Sequence, residues 1–186
     1  HGNMSESKMK FENDAQFGKV LSLTAGSNAY VTIPGSVFAN EESLSISGWI
    51  YLLSDQRNQH FFDFGKNNKT HFFVAPTGNK EKSNLQTEIT TAGEKYKTDG
   101  PVLETNKWVH LVVVIDIPSK SLNTYVNGVL TGTTKIAKLK LDQLFDSNTA
   151  KNNVLNIGKS ISPEDPYLKA KLHDFRIYRV PLTEKQ

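Results

Sequence analysis

Residues 108–128 read WVHLVVVIDIPSKSLNTYVNG. Val109, Leu111, Val113 and Ile115 alternate with His110, Val112, Val114 and Asp116, so one face is wholly apolar and the other is apolar between polar ends. Such a run of β-branched and aliphatic residues, free of Gly and Pro, fits a central strand buried on most of both faces. Pro118 lies in the linker, and the second strand ends at Asn127-Gly128, a pair that tolerates the positive φ of a tight hairpin turn. Val129 to Thr134 is expected to pair back, giving a central antiparallel meander on which the other sheets are built.

Working outward, Leu44 to Leu52 is the next strong strand. Leu44, Ile46, Gly48 and Ile50 form one row, and Ser45, Ser47, Trp49 and Tyr51 the other, which belongs on an outer or concave face. Strands are also expected at Lys19–Leu23, Ala29–Ile33, His60–Phe64, Thr70–Ala75, Leu85–Thr90, Val154–Gly158 and Ala170–Tyr178. Turns or loops fall at residues 25–28, 54–59 and 65–69, at the charged tip 76–84, and at Gly93 to Gly100. Val37 to Glu42 reads as a short loop or one helical turn, Leu139 to Asp146 as a short helix or an irregular crossing, and Pro181 to Glu184 as the start of a helical turn. Strands this short, with turns this regular, argue for an all-β sandwich or barrel and against βαβ units. Residues 1–16 are polar and aperiodic, a leader or linker, with Met9 to Phe11 laid against the body; the sandwich is expected over 17–186.

With 186 residues, 37% hydrophobic and 10% aromatic, the chain can bury one core unaided. The net charge of +3 is small and the 22 basic residues are scattered through strand flanks and turns, so nucleic acid is not an expected partner. No apolar run approaches the roughly 18 residues of a membrane span, and no membrane insertion is expected. Cysteine is absent, which excludes disulfides and thiolate metal sites. A chain opening His1-Gly2-Asn3 reads as a fragment or processed form whose signal segment is not present; its ending, Leu182 to Gln186, suggests a helical turn cut short and neighbouring domains in a larger chain.

Six blocks in order, LSLTAGSNAYVTIP (21–34), LSISGWIYL (44–52), TNKWVHLVVVID (105–116), NTYVNGVL (123–130), LNIGK (155–159) and KAKLHDFRIYRVPLT (169–183), carry a resemblance. Together they resemble the bacterial laminin G-like modules of the concanavalin A-like lectin and glucanase superfamily, over about Val20 to Glu184. The resemblance implies a jelly roll of two antiparallel sheets, one concave. It also implies roles in sugar binding, adhesion or spacing beside catalytic domains of secreted glycan-processing proteins. Fold alone does not settle function.

Catalytic members that cleave β-glucans carry two Glu and an Asp on one strand, because retaining hydrolysis needs an acid and a nucleophile flanking the bond. This chain has no such strand; its close acidic pairs, Glu41-Glu42 and Glu164-Asp165, fall in loops. No nucleophile elbow accompanies its five His, and His60, His71, His110 and His173 lie on separate strands with no i, i+4 pair. The resemblance points instead to Ca²⁺ as a cofactor, with Asp174 in the last strand and Asn28 in the first turn as ligands. The bland alternative pairs Asp174 with Arg176.

Sugar binding asks for aromatic faces beside amides, carboxylates or Arg. The candidates are Trp49 and Tyr51 on the outer row, Arg57, Asn58, Gln59 and His60 in the adjoining loop, Asn67, Asn68 and His71 in the next hairpin, and Tyr167 in the 163–167 loop. Against this, Trp49 reads more readily as packed under a neighbouring strand or the N-terminal segment, and Trp108 as structural. The sequence therefore supports a non-catalytic module from an extracytoplasmic protein that binds a polysaccharide or oligosaccharide. A structural or protein-interaction spacer is the alternative, and a glycoside hydrolase the third.

Overall fold

The computed structural model describes residues 3–4, 9–24, 28–38, 41–79 and 83–186, the side chains of 3 and 4 excepted. In chain order the strands are β1 (Asn3–Met4), β2 (Lys10–Asp14), β3 (Gly18–Ser22), β4 (Val31–Thr32), β5 (Ser43–Leu52), β6 (Phe62–Asn67) and β7 (Thr70–Ala75). They continue with β8 (Asn84–Thr90), β9 (Lys95–Val102), β10 (Trp108–Asp116), β11 (Ser121–Val126), β12 (Val129–Lys135), β13 (Val154–Ile157) and β14 (Ala170–Tyr178). They form two seven-stranded antiparallel sheets, β1-β4-β13-β6-β7-β8-β9 and β12-β11-β10-β5-β14-β3-β2, the jelly-roll sandwich that the resemblance implied.

The meander forms as its alternation dictates. Strand β10 pairs with β11 from Leu111 opposite Val126 to Asp116 opposite Ser121, and β11 with β12. Asn127 (φ 50°) and Gly128 (φ 79°) make the turn, and Asn127 exchanges bonds with His110, its side-chain oxygen accepting from the His110 N–H at 2.9 Å. Strand β5 lies between β10 and β14, so Leu44, Ile46 and Ile50 enter the core with Val109, Leu111, Val113 and Ile115. From the facing sheet come Phe62, Phe64, Phe72, Leu85 and Ile89, with Phe38 and Phe145 closing one end. Gly48 is required where it stands: a Cβ there would lie 2.9 Å from the Phe61 ring.

One polar ladder crosses the core. The Thr124 hydroxyl of β11 donates to Thr87 of β8 at 2.9 Å and meets Thr98 of β9 at 3.0 Å, all three being buried. Beside it the sandwich edge is tied by Thr134, whose hydroxyl donates to the Lys97 carbonyl at 2.6 Å.

Three stretches differ from expectation, the first being β6, which starts at Phe62 and runs on through Asn67 into the turn expected at residues 65–69. Within the expected leader, Lys10–Asp14 pairs along its whole length with β3, so the sandwich extends past a boundary at residue 17. An edge strand with one face in water shows little apolar period, which is why KFEND reads as linker. The expected loop at Gly93 to Gly100 overlaps the edge strand β9, which pairs with β8 from Lys95 opposite Thr90. Its Gly100 and Pro101 are tolerated because an edge strand needs no complete hydrogen-bond row. Leu141–Leu144 is one helical turn with Leu141 and Leu144 buried, and Gly35–Phe38 is a 3-10 turn. The expected turn at residues 25–27, residues 39–40 of the 37–42 loop, and the tip at 80–82 lie outside the described residues.

Thr124→Val keeps the shape but leaves Thr87 and Thr98 short of a buried partner. Denaturant unfolding should show a loss of about 1–3 kcal/mol with an unchanged m-value.

Candidate functional site

On the outer side of the first sheet, alternation that sends Phe62, Phe64, Phe72 and Val74 inward turns Asp63, His71, Phe73 and Ala75 outward. The next strand adds Gln86 and Glu88, and β9 adds Lys95. Asn58, Asn68, Gly78, Asn79, Ser162 and Asp165, from the surrounding loops, complete the wall of a groove of about 240 Å³.

Its floor is organised by Asp63, which has no exposed surface. Its carboxylate accepts from His71 Nδ1 at 2.7 Å, His60 Nδ1 at 3.1 Å, and the Ile161 N–H at 2.8 Å. The Ser160 hydroxyl lies 3.3 Å away and 2.8 Å from Asp165, which in turn stands 3.8 Å from His60 Nε2. One buried carboxylate thus joins β6, β7 and the 160–162 loop. Burial alone would raise the Asp63 pKa, but hydrogen bonds from His60 and His71, reinforced by their charge, outweigh it and hold the carboxyl below its ordinary 3.8. With Nδ1–H of each imidazole given to Asp63, Nε2 is the ring nitrogen left over, an acceptor in the neutral form of the ring and a donor in the charged one. Both rings pack on Phe73, His60 stacked at 4.4 Å and His71 tilted at 5.1 Å.

The acids of the groove are all engaged. Glu88 accepts from Gln86 at 2.8 Å and Thr90 at 3.0 Å, and pairs with Lys95 at 2.8 Å. The groove therefore offers fixed hydrogen-bonding groups on rigid strands, with no pair of unengaged carboxylates facing each other among the described residues.

The candidates named from sequence separate. His60 and His71 line the groove, with Asn58 and Asn68. Gln59 is fully buried and supports the loop: its amide N–H groups donate to the Ser54 and Gln56 carbonyls and its oxygen accepts from the Lys169 N–H. Arg57 is exposed on the same loop, outside the residues that line the groove. Tyr167 packs beside Tyr30, ring centres 5.9 Å apart, with Lys159 Nζ over both rings.

Trp49 and Tyr51 face out from the other sheet and share no site with His60 and His71. The β2–β3 turn lays Phe17 over Trp49 and Trp108, each at 5.0 Å, and stacks it on His173 at 4.5 Å. Asp14 fixes that turn by accepting from the Gln16 and Phe17 N–H groups and from Trp108 Nε1. Trp49 is thus packed under the N-terminal segment rather than presented as an open platform, and Tyr51 lies against Trp108 and below Lys171. His110, beside Trp49, has its pKa pushed down by burial, with Asp174 opposing.

The two residues expected to hold Ca²⁺ stand in different settings. Asp174 sits in a bulge of β14 at φ 52°, its carboxylate taken by Arg176 Nε at 2.6 Å, while Asn28 lies in the turn before β4. No group of three or more His, Cys, Asp or Glu able to hold a metal occurs among the described residues.

Sequence reasoning missed Asp63, Phe73, Gln86, Glu88 and Lys95. The signal was present as period two: Asp63 in FFDFG, His71 and Phe73 in THFFVA, and Gln86 and Glu88 in LQTEI alternate with core residues on three adjacent strands.

Residues 25–186 match a laminin G family described as the Concanavalin A-like lectin/glucanases superfamily. No curated protein matches the chain. Among solved structures, domain 4 of AbnA, an extracellular arabinanase from Geobacillus stearothermophilus in complex with arabinotriose, is similar over 100% of this chain and 85% of its own, with 19% identity and a TM-score of 0.77. The botulinum neurotoxin serotype D binding domain is similar over 100% of this chain and 44% of its own, with 14% identity and a TM-score of 0.71. The botulinum neurotoxin DC binding domain in complex with rat synaptotagmin II has 17% identity, the same coverages and a TM-score of 0.70. The chain thus spans under half the length of the toxin domains, and at these identities the likeness is one of fold.

Asp63→Ala should cost about 3–5 kcal/mol, because it leaves buried imidazoles without their acceptor. Because the folded pKa is depressed, this contribution is present in full above the unfolded value near 3.8 and is lost as pH falls through the folded one. Urea melts across pH should show the wild-type advantage over the variant shrinking only on that acid limb.

Proposed function

The chain belongs to the Concanavalin A-like lectin/glucanases superfamily, and on that premise we propose that it is a non-catalytic module binding a polysaccharide or oligosaccharide through the groove over Asp63. The observation that carries this reading is the groove's make-up: planar amides, imidazole Nε2 atoms, carboxylates and an ammonium surround one aromatic ring on a rigid sheet. The polar ones are the groups that replace water around sugar hydroxyls, while the buried Phe73 ring backs the His60 and His71 imidazoles. Each groove carboxylate is already hydrogen-bonded or ion-paired, and Asp63 is sealed from solvent. That supports binding over glycosidic cleavage, which needs two carboxyl groups flanking the bond.

The setting we propose is extracytoplasmic, as an accessory or adhesion part of a larger glycan-processing or surface protein. It is supported by the fold shared with a domain of an extracellular arabinanase. No helix among the described residues is long and apolar enough to cross a membrane.

Affinity electrophoresis against arabinan, galactan, xylan and glucan gels should retard the wild-type protein in at least one. His71→Ala should abolish the retardation, whereas Tyr51→Ala, on the opposite face, should leave it intact. Retardation in none of them, or loss only with Tyr51→Ala, would remove the groove as the site. A chelator should leave the melting midpoint unchanged, since a native-only Ca²⁺ would raise it.

A further inference from the structure

We propose that the groove selects uncharged glycans over acidic ones, and that Glu88 sets this selection; the inference rests on the carbohydrate reading above. The charges on the groove wall and floor carry it. Asp63, Glu88 and Asp165 bring three carboxylates, and Lys95 is the one Lys or Arg among the described lining residues. Lys95 is already matched in charge: its ammonium lies 2.8 Å from Glu88 Oε1. The neighbouring lysine on the same strand, Lys97, is likewise matched, by Asp99 at 3.2 Å.

Glu88 is the pivot because it is itself buried and held from three directions, by Gln86, Thr90 and Lys95. A uronate or sulfate entering the groove must therefore compete with a fixed carboxylate for the single ammonium while approaching two further acids. Like charges brought together in a partly dry site repel, whereas sugar hydroxyls can donate to the Glu88 and Asp165 carboxylates and, on a neutral ring, to the imidazole Nε2 atoms. The acceptor-rich wall suits a neutral sugar, whose many O–H groups are donors.

Glu88→Gln tests this, because the amide keeps the shape and the side-chain oxygen can still accept from Thr90, while Lys95 loses its counter-charge. The measurement is isothermal titration with the neutral polysaccharide that retards the wild-type protein and with polygalacturonate, at physiological ionic strength. Wild-type protein should bind the neutral polymer and not polygalacturonate. Glu88→Gln should bind polygalacturonate at least about tenfold more tightly than wild type. Adding Lys95→Ala to Glu88→Gln should take that gain away, and Lys95→Ala alone, at a largely exposed side chain, should leave polygalacturonate unbound. Equal or tighter binding of polygalacturonate by the wild type would overturn the selection, as would no gain in a Glu88→Gln protein whose melt shows it folded. Failure of the wild type to bind any neutral polymer overturns the carbohydrate reading itself, a result distinct from either of these.

Discussion

Each strand of the sandwich can give only one face to the shared apolar core, and the two-residue period then fixes what the other face carries. In β5 that constraint sends Leu44, Ile46 and Ile50 inward and leaves Ser45, Ser47, Trp49 and Tyr51 outside; in β6 and β7 it buries Phe62, Phe64, Phe72 and Val74 and turns out Asp63, His71 and Phe73. A shift of one residue in either pairing would exchange the faces wholesale. The core and the two outer surfaces are therefore one problem with one solution. The groove follows from packing that takes place on the other side of the same strands.

The two outer faces have been finished differently. On the second sheet the β2–β3 turn and the chain after β14 lie across the strands: Phe17 covers Trp49, and the Ser45 hydroxyl donates to the Val180 carbonyl and accepts from the Leu182 N–H. On the first sheet a buried carboxylate takes that organising role. Asp63 orients two imidazoles, fixes their tautomer and anchors the 160–162 loop, so the polar wall is rigid before anything enters it. A surface already ordered loses less entropy when a ligand arrives.

The central meander, the β5 alternation and the Asn127-Gly128 turn were legible because they obey local rules of period and turn chemistry. The edge strands β2 and β9 were not, since a strand that borrows its partner's pattern needs little of its own. His60 and His71 were legible as residue types suited to a site, but their meeting on Asp63 is a matter of register between strands and of a loop about 100 residues away. The aromatic pair Trp49 and Tyr51, read from sequence onto an outer or concave row, stands on the outer face of the sheet opposite the groove. Which of two outer faces a strand presents depends on the sheet it joins, and composition has no handle on that.

Both tryptophans of the chain lie under or beside Phe17 on the face opposite the groove. Intrinsic indole emission is consequently a gauge of whether the N-terminal hairpin is seated, and is optically blind to occupancy above Asp63. A quenched or red-shifted spectrum in this protein speaks of the hairpin lifting away, and a silent one says nothing against a guest on the far side.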